Sequence, residues 1–298
     1  MNFDYGDTLK RAAQMTLRYK SFWVLMTLQM LPSMIMFPLF FYALWVLENS
    51  RGEAGGVWMV VLGAALILLF FASFLLMAYS HSAVTLGVIR VDRGGEITDL
   101  MELLRDAFPF YGRSLGLILS IQLTIGMIFT VVFMVIGLLM VVTMGIGAIC
   151  LQPVILLLTP LSMLLMAFME AAQTALIAED LGVLDSLKRA LLVVRAHVWK
   201  YVIISLVVYF GTSIISGIIS IPLTFPAAIL AMSTETMSLS DSQMGMAVMA
   251  SMFCCFVPVI FAISGVTQTF IKTTLGLSYL RLASPAGEQV ITLEEQAS

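Results

Sequence analysis

Long apolar stretches alternate with short charged segments along the chain. Five stretches contain no Asp, Glu, Lys or Arg, at residues 21–47, 54–89, 114–169, 201–234 and 242–271. Each is long enough to cross a bilayer as a helix, which takes roughly 20 apolar residues. The third is more than twice that length, so it must fold back once, and the glycines in residues 143–147 favour a turn there. The pattern predicts six transmembrane helices.

The charged segments carry a repeat. The sequence Asp-Thr-Leu-Lys-Arg-Ala at 7–12 recurs as Asp-Ser-Leu-Lys-Arg-Ala at 185–190, and Thr-Asp-Leu-Met-Glu at 98–102 is a looser copy. Each copy is followed by a short basic run and then by two spans. We therefore expect an all-α membrane bundle of three helical hairpins, each preceded by a cytoplasmic amphipathic helix. The single domain, residues 1–298, divides into units of about 5–90, 97–178 and 183–281, with a polar tail at 282–298.

The amphipathic pattern is clearest in the third copy. Six apolar residues at helical spacing predict one buried face: Val183, Leu184, Leu187, Ala190, Leu191 and Val194. Asp7, Asp99 and Asp185 are predicted helix N-caps. Such helices either brace the bundle or bind a partner or anionic lipid. The near balance of acids and bases in the second copy favours bracing.

Basic residues predict the orientation. All but one of the 15 Lys and Arg residues lie on the side that holds both termini, and Arg51 is the exception. This bias places both termini in the cytoplasm. The tryptophans are predicted to anchor the span ends at the membrane interface, which fits the same orientation. They are Trp23, Trp45, Trp58 and Trp199. The first span is too long for a cleavable signal peptide and is predicted to remain as an anchor.

Composition supports the same class. Hydrophobic residues make up 60% of the chain and charged residues 11%, too few to cover a soluble surface of this size. The net charge of −3 gives no basic field for nucleic acid. The lipid bilayer is the predicted partner, with other membrane proteins as further partners. The oligomeric state is left open.

Two motifs resemble a known family. Residues 175–190, followed by Val-Trp-Lys-Tyr at 198–201, resemble a signature of multi-span bacterial membrane proteins. These proteins include the membrane domain of some glycerophosphoryl diester phosphodiesterases. The closing stretch, 273–281, is similar to the end of that domain, although Leu280 stands where the family has an acid. The resemblance implies the fold and a bacterial inner-membrane location. It does not carry over the phosphodiesterase reaction, which belongs to a separate soluble domain.

Ionisable and amide side chains near the span ends are the best candidates for a polar site. We select five, at Glu170, Gln173, Gln268, Lys272 and His81. An ionisable group at membrane depth usually has a function, but one near a helix end can instead extend to the headgroups. Glu170 and Lys272 either pair and lock the bundle or line a vestibule or proton path.

Other chemistry has little support. The 22 methionines include Met26, Met30 and Met34 on one stripe, and Met249 and Met252 lie near Cys254 and Cys255. These residues could bind copper(I), because sulfur ligands suit that ion. Packing explains them better, because flexible methionine side chains fill irregular contacts between helices. Motifs for nucleotide, metal or covalent catalysis are not evident. We expect no cofactor, no metal and no enzymatic activity.

The sequence therefore favours an accessory or scaffold protein that packs against other membrane proteins or lipids. The alternative is a small-solute or lipid transporter with a polar cavity near the cytoplasmic ends of spans four and six.

Overall fold

The structure is a computed structural model that describes residues 3–49, 53–96, 99–142, 147–234 and 242–283. Within those ranges, side chains are described for residues 3–36, 38–40, 42–43, 57–96, 99–138, 159–218, 221, 256 and 258–283. The polar tail beyond residue 283 and the predicted turn residues 143–146 lie outside the described part of the chain.

The described chain is all-helical, as the sequence predicts. Its helices in chain order are α1 (Tyr5–Arg18), α2 (Lys20–Leu28), α3 (Leu31–Asn49), α4 (Glu53–Asp92), α5 (Leu100–Val142), α6 (Gly147–Ala178), α7 (Val183–Ala196), α8 (Val198–Thr234) and α9 (Ser242–Leu282).

Helix boundaries differ from the predicted ones in two places. The first apolar stretch is divided, because α2 ends at Leu28 and α3 begins at Leu31, with Pro32 in the first turn of α3. Proline lacks the donor that a continuous helix would need there. The second amphipathic segment is not a separate helix, because α5 runs without a break from Leu100 into the apolar stretch. In the third apolar stretch α5 is described to Val142 and α6 from Gly147, and the predicted turn between them falls on residues that the structure does not describe.

Five helical segments are long and apolar enough to cross a membrane. They are Lys20–Phe40, Val57–Asp92, Leu100–Leu138, Thr159–Ala178 and Val198–Ile218. This finding confirms a multi-pass membrane protein by length and composition. The sixth predicted span, residues 242–271, lies on α9, where most side chains before residue 258 are outside the described set.

The chain divides into two compact units. The first unit comprises residues 1–18, 82–211 and 270–298, and the second comprises residues 19–81 and 212–269. Helices α4, α8 and α9 each contribute one part to each unit.

The core of the first unit forms around α6. Small residues at Ala167, Ala171, Ala172 and Ala175 are buried together with residues of α8 and α9, among them Ile204, Val208 and Leu275. Small side chains let neighbouring helix backbones approach closely, which is how membrane helices gain packing contacts. This close packing fixes the polar side chains that α6 and α9 carry.

Helix α7 packs on this core with a face that overlaps the predicted one only in part. Its buried residues are Ser186, Ala190, Val193 and Val194. Leu184 and Leu191, which we expected on the buried face, are exposed. The apolar residues of α7 cover more than one stripe, so hydrophobic spacing alone did not identify the side that meets the core.

In the second unit, Gly265 lies where α9 meets α2. A Cβ at Gly265 would overlap the Thr27 hydroxyl and lie 3.2 Å from the Trp23 carbonyl oxygen. Only glycine leaves room for this approach, because the neighbouring atoms include backbone that cannot move aside.

We predict that Gly265→Ala lowers the free energy of unfolding by about 1–3 kcal/mol through overpacking. Thermal unfolding of the purified protein in detergent measures the change. Gly63→Ala is the matched control, because a Cβ at Gly63 in the same unit meets nothing within 4 Å. Equal stability of the two variants would contradict the close approach.

Candidate functional site

Three of the predicted site residues form one buried cluster in the first unit. The Lys272 ammonium donates to Glu170 Oε2 at 2.6 Å and to Gln173 Oε1 at 2.6 Å. Only 3% of the Lys272 side chain and 8% of the Glu170 side chain are exposed. The two charges therefore pair inside the protein and do not extend to the headgroups, and we name Glu170, Gln173 and Lys272 the buried triad.

Helix geometry explains how α6 presents two acceptors to one ammonium. Glu170 and Gln173 are three residues apart, so their side chains lie on the same face of α6. Gly276 follows Lys272 by one turn of α9, and a Cβ there would lie 3.5 Å from the Thr174 hydroxyl of α6. Helices α6 and α9 thus lie close together at the level of the triad.

Burial makes the triad costly to break. Removing one ion of a buried pair leaves the other charge without compensation and costs about 3–5 kcal/mol. Replacing both ions by apolar residues of similar volume is often neutral or stabilising. The triad holds α6 to α9 strongly only while both charges are present.

The remaining two predicted site residues are described with the second unit. His81 is buried there, whereas Gln268 is exposed. Lys272 is the described ionic partner of Glu170, and it also binds Gln173.

Several buried polar atoms of the first unit lack a hydrogen-bond partner within the described residues. Four of them are Gln173 Nε2 on α6, the Tyr201 and Ser205 oxygens on α8, and the Thr273 oxygen on α9. Tyr201 and Ser205 are four residues apart and share one face of α8. Unpaired buried polar groups are rare, and ordered water or a ligand usually satisfies them.

A second polar cluster surrounds Glu179, at the end of α6. The Tyr279 hydroxyl donates to Glu179 Oε1 at 2.6 Å, and Arg189 Nε lies 3.2 Å from Oε2. Burial raises the pKa of the Tyr279 hydroxyl well above its usual range, and the hydrogen bond to Glu179 adds to the effect. Tyr279 is thus a neutral donor that joins α9 to the end of α6.

The turn after α6 explains why acidic residues are placed there. Asp180 has a positive φ of 52°, and the Leu181 amide bonds the Leu176 carbonyl, the pattern of a Schellman helix end. Arg113 of α5 donates to the Asp180 carboxylate at 2.7 Å. Acidic side chains are unfavourable at a helix carboxyl end, so each of these acids depends on an arginine.

Arginine–carboxylate pairs also connect the other helices of the first unit. We name five pairs the arginine layer: Arg11–Asp92, Arg90–Asp106, Arg113–Asp180, Arg189–Glu179 and Arg281–Asp7. Each pair joins two different helices or a helix and the turn after α6. Partly exposed pairs are individually weak, but together they fix the charged ends of the helices. These are contacts that a brace requires.

Sequence reasoning missed the arginine layer and predicted N-cap roles for Asp7, which belongs to that layer, and for Asp185, which does not. Asp7 is not an N-cap, because α1 begins at Tyr5 and the Asp4 carboxylate accepts from the Asp7 amide. Asp185 lies in the first turn of α7, whose N-cap is Gly182. The available signal was the acidic pair Glu179–Asp180 at the end of an apolar helix, where the helix dipole disfavours it.

The predicted interface anchors have different environments. Trp58 and Trp199 are exposed, Trp23 is half-buried, and the side chain of Trp45 lies outside the described set. Among the described residues, His, Cys, Asp and Glu form no group of three that could bind a metal ion. The side chains of Cys150, Cys254 and Cys255 lie outside that set.

Comparison with family models, with curated proteins and with solved structures finds no match to this chain. The interpretation of the buried triad and the arginine layer therefore depends on their geometry.

We predict that Glu170→Met and Lys272→Met each lower the free energy of unfolding by about 3–5 kcal/mol. The double variant is expected to recover most of that loss, because it leaves no buried charge without a partner. Chemical unfolding in detergent measures all three variants. Losses that simply add in the double variant would contradict a direct pair.

We also predict that Glu179→Gln costs about 1–3 kcal/mol, because it weakens the acceptor of both Tyr279 and Arg189. The matched control is Glu96→Gln, since the Glu96 side chain is 77% exposed and lies 3.8 Å from Arg18. Thermal unfolding measures both variants, and an equal effect at the two positions would contradict a structural role for Glu179.

Proposed function

We propose that this chain is a non-enzymatic accessory or scaffold protein of a bacterial inner membrane. In this proposal it crosses the bilayer six times as three hairpins, with both termini and the arginine layer in the cytoplasm. The five candidate spans and the apolar sequence of α9 support the count. The distribution of basic residues supports the orientation. The resemblance to membrane domains attached to phosphodiesterases is part of the same proposal.

One observation carries the proposal. The charges buried in the first unit bind each other, so Glu170 and Lys272 are used to connect helices. The arginine layer uses further charges in the same way. A protein whose ionic groups maintain its own packing is suited to hold a fixed shape in the membrane.

The exposed apolar surface of the candidate spans is suited to lateral contacts. Large exposed side chains include Leu68 on α4, Met127 and Met134 on α5, and Phe210 on α8. In a bilayer such residues contact either lipid or the spans of another protein. Close packing and small polar contacts determine which of the two is the neighbour.

We predict that the protein extracted gently from native membranes migrates within a larger assembly than the protein purified alone. Size separation of a polymer-solubilised membrane extract, followed by mass spectrometry of the co-migrating proteins, measures this. Identical migration of the two samples, with no protein enriched, would contradict the scaffold proposal.

Transport is the second candidate, because four buried polar groups lie on α6, α8 and α9 in the unit that holds the triad. Gln173, Ser205, Tyr201 and Thr273 have unpaired polar atoms among the described residues, which is unusual for a purely structural core. Proteoliposomes containing a fluorescent phospholipid that dithionite bleaches test the lipid form of this candidate. Transport would give bleaching of the inner leaflet that the Glu170→Met/Lys272→Met variant lacks. Equal bleaching with the wild type and with the double variant would contradict lipid transport.

A further inference from the structure

Helix α7 exposes a narrow stripe of alternating apolar and basic side chains. Leu184, Lys188, Leu191 and Arg195 follow the spacing i, i+4, i+7 and i+11, which places them on one side of the helix. Leu184 is 70% exposed, Leu191 is 57% exposed and the Lys188 side chain is 77% exposed. We name these four residues the α7 stripe.

The stripe lies opposite the side of α7 that packs on the core. Ser186, Ala190 and Val193 are buried and lie roughly half a turn away from the stripe at 100° per residue. The leucines of the stripe therefore do not belong to the core of the first unit. They form a second apolar surface that the described residues leave exposed.

A similar stripe occurs where α5 begins. Met101, Arg105 and Phe108 repeat the order apolar, basic, apolar at the spacing i, i+4 and i+7. Met101 is 70% exposed and Phe108 is 68% exposed. Two helices of the first unit thus present the same combination of side chains outward.

The position of α7 along the chain limits what can cover its stripe. Helix α7 connects two candidate spans, since Thr159–Ala178 ends just before it and Val198–Ile218 begins just after it. With 14 residues it is about 21 Å long, so both of its ends remain close to the ends of spans. Trp199, in the first turn of α8, is 78% exposed. Exposed tryptophan at a span end is typical of the headgroup layer.

We propose that the α7 stripe binds anionic phospholipid, with Leu184 and Leu191 inserted among the acyl chains and Lys188 and Arg195 against the phosphates. Charge complementarity supports this occupant. The exposed charges of α7 are Asp185, Lys188 and Arg195, and Lys188 approaches Asp185 only to the long distance of 4.0 Å. Leucine beside lysine or arginine is the composition of helices that lie in the headgroup layer.

The first repeat provides an internal comparison. Aligned on the shared Leu-Lys-Arg-Ala sequence, Leu184, Lys188 and Leu191 of α7 correspond to Gly6, Lys10 and Ala13 of α1. Helix α1 therefore keeps the basic residue without the two leucines. We infer that lipid insertion belongs to α7, and that Lys10 serves as a control for charge without insertion.

The test measures which lipid surrounds Trp199, on the purified protein in nanodiscs. Brominated phosphatidylglycerol or brominated phosphatidylcholine quenches nearby tryptophan, and subtracting the signal of Trp199→Phe isolates the contribution of Trp199. We expect phosphatidylglycerol to quench more strongly. In the Lys188→Gln/Arg195→Gln variant, the preference for phosphatidylglycerol over phosphatidylcholine at Trp199 should fall by about fivefold for each charge removed. Leu184→Ser/Leu191→Ser should weaken quenching by both lipids.

Lys10→Gln is the matched control and should leave the preference at Trp199 unchanged. All of these positions are exposed, so thermal unfolding should show that each variant remains folded. Equal quenching by the two lipids in the wild type would overturn the proposal, and so would a preference that survives loss of both charges. A photo-crosslinker at Leu184 that captures a protein from native membranes but no lipid would also overturn it.

This inference rests on the proposed membrane orientation but not on the scaffold function. The nanodisc contains the purified chain without partner proteins. Failure of the lipid preference would therefore leave the size measurement on native extracts unaffected, and failure of that measurement would leave the lipid preference standing.

Discussion

A lysine and a glutamate buried against each other determine how the first unit is held together. Neither charge is tolerable alone in an apolar interior, because desolvation costs several kcal/mol for each ion. Contact between Lys272 and Glu170 makes their burial acceptable, and Gln173 supplies a second acceptor. Helices α6 and α9 must therefore keep the register that brings these atoms together. The small residues of α6 allow the required approach.

The arginine layer provides a different kind of restraint from the triad. Its pairs are partly exposed, so each contributes little alone, but together they connect α1, α4, α5, α7 and α9 with the turn after α6. Arginine suits this role because its guanidinium presents several donors in a fixed plane. Three of the five lysines have a different environment. Lys10, Lys20 and Lys188 are exposed, which leaves compact charges available at the surface.

The sequence predicted the class of fold well, because the physics of the bilayer acts on composition and length. The apolar stretches predicted where the long helices lie. Charge in an apolar stretch identified Glu170, Gln173 and Lys272. The same reasoning included Gln268, which is exposed although it lies four residues before Lys272 on α9. Helical spacing states which residues share a face, but not which neighbouring helix covers that face at each level.

The errors on α7 and in the arginine layer have a related cause. Several apolar stripes on α7 compete for the core, and the choice depends on the shape of the first unit. Ionic partners far apart in sequence, such as Arg281 and Asp7, are likewise set by tertiary packing. Asp7 and Asp185 had the composition of N-caps, but the backbone bonds of α1 and α7 begin earlier.

Direct contact between Lys272 and Glu170 is the central claim, and solid-state NMR on the protein in lipid bilayers tests it without mutation. Lysine labelled with ¹⁵N at Nζ and glutamate labelled with ¹³C at the carboxyl group give a dipolar coupling that depends on their separation. With Nζ 2.6 Å from a Glu170 oxygen, Lys272 should show strong coupling to one carboxyl carbon. A lysine signal from residue 272 without any carboxyl coupling would contradict the account.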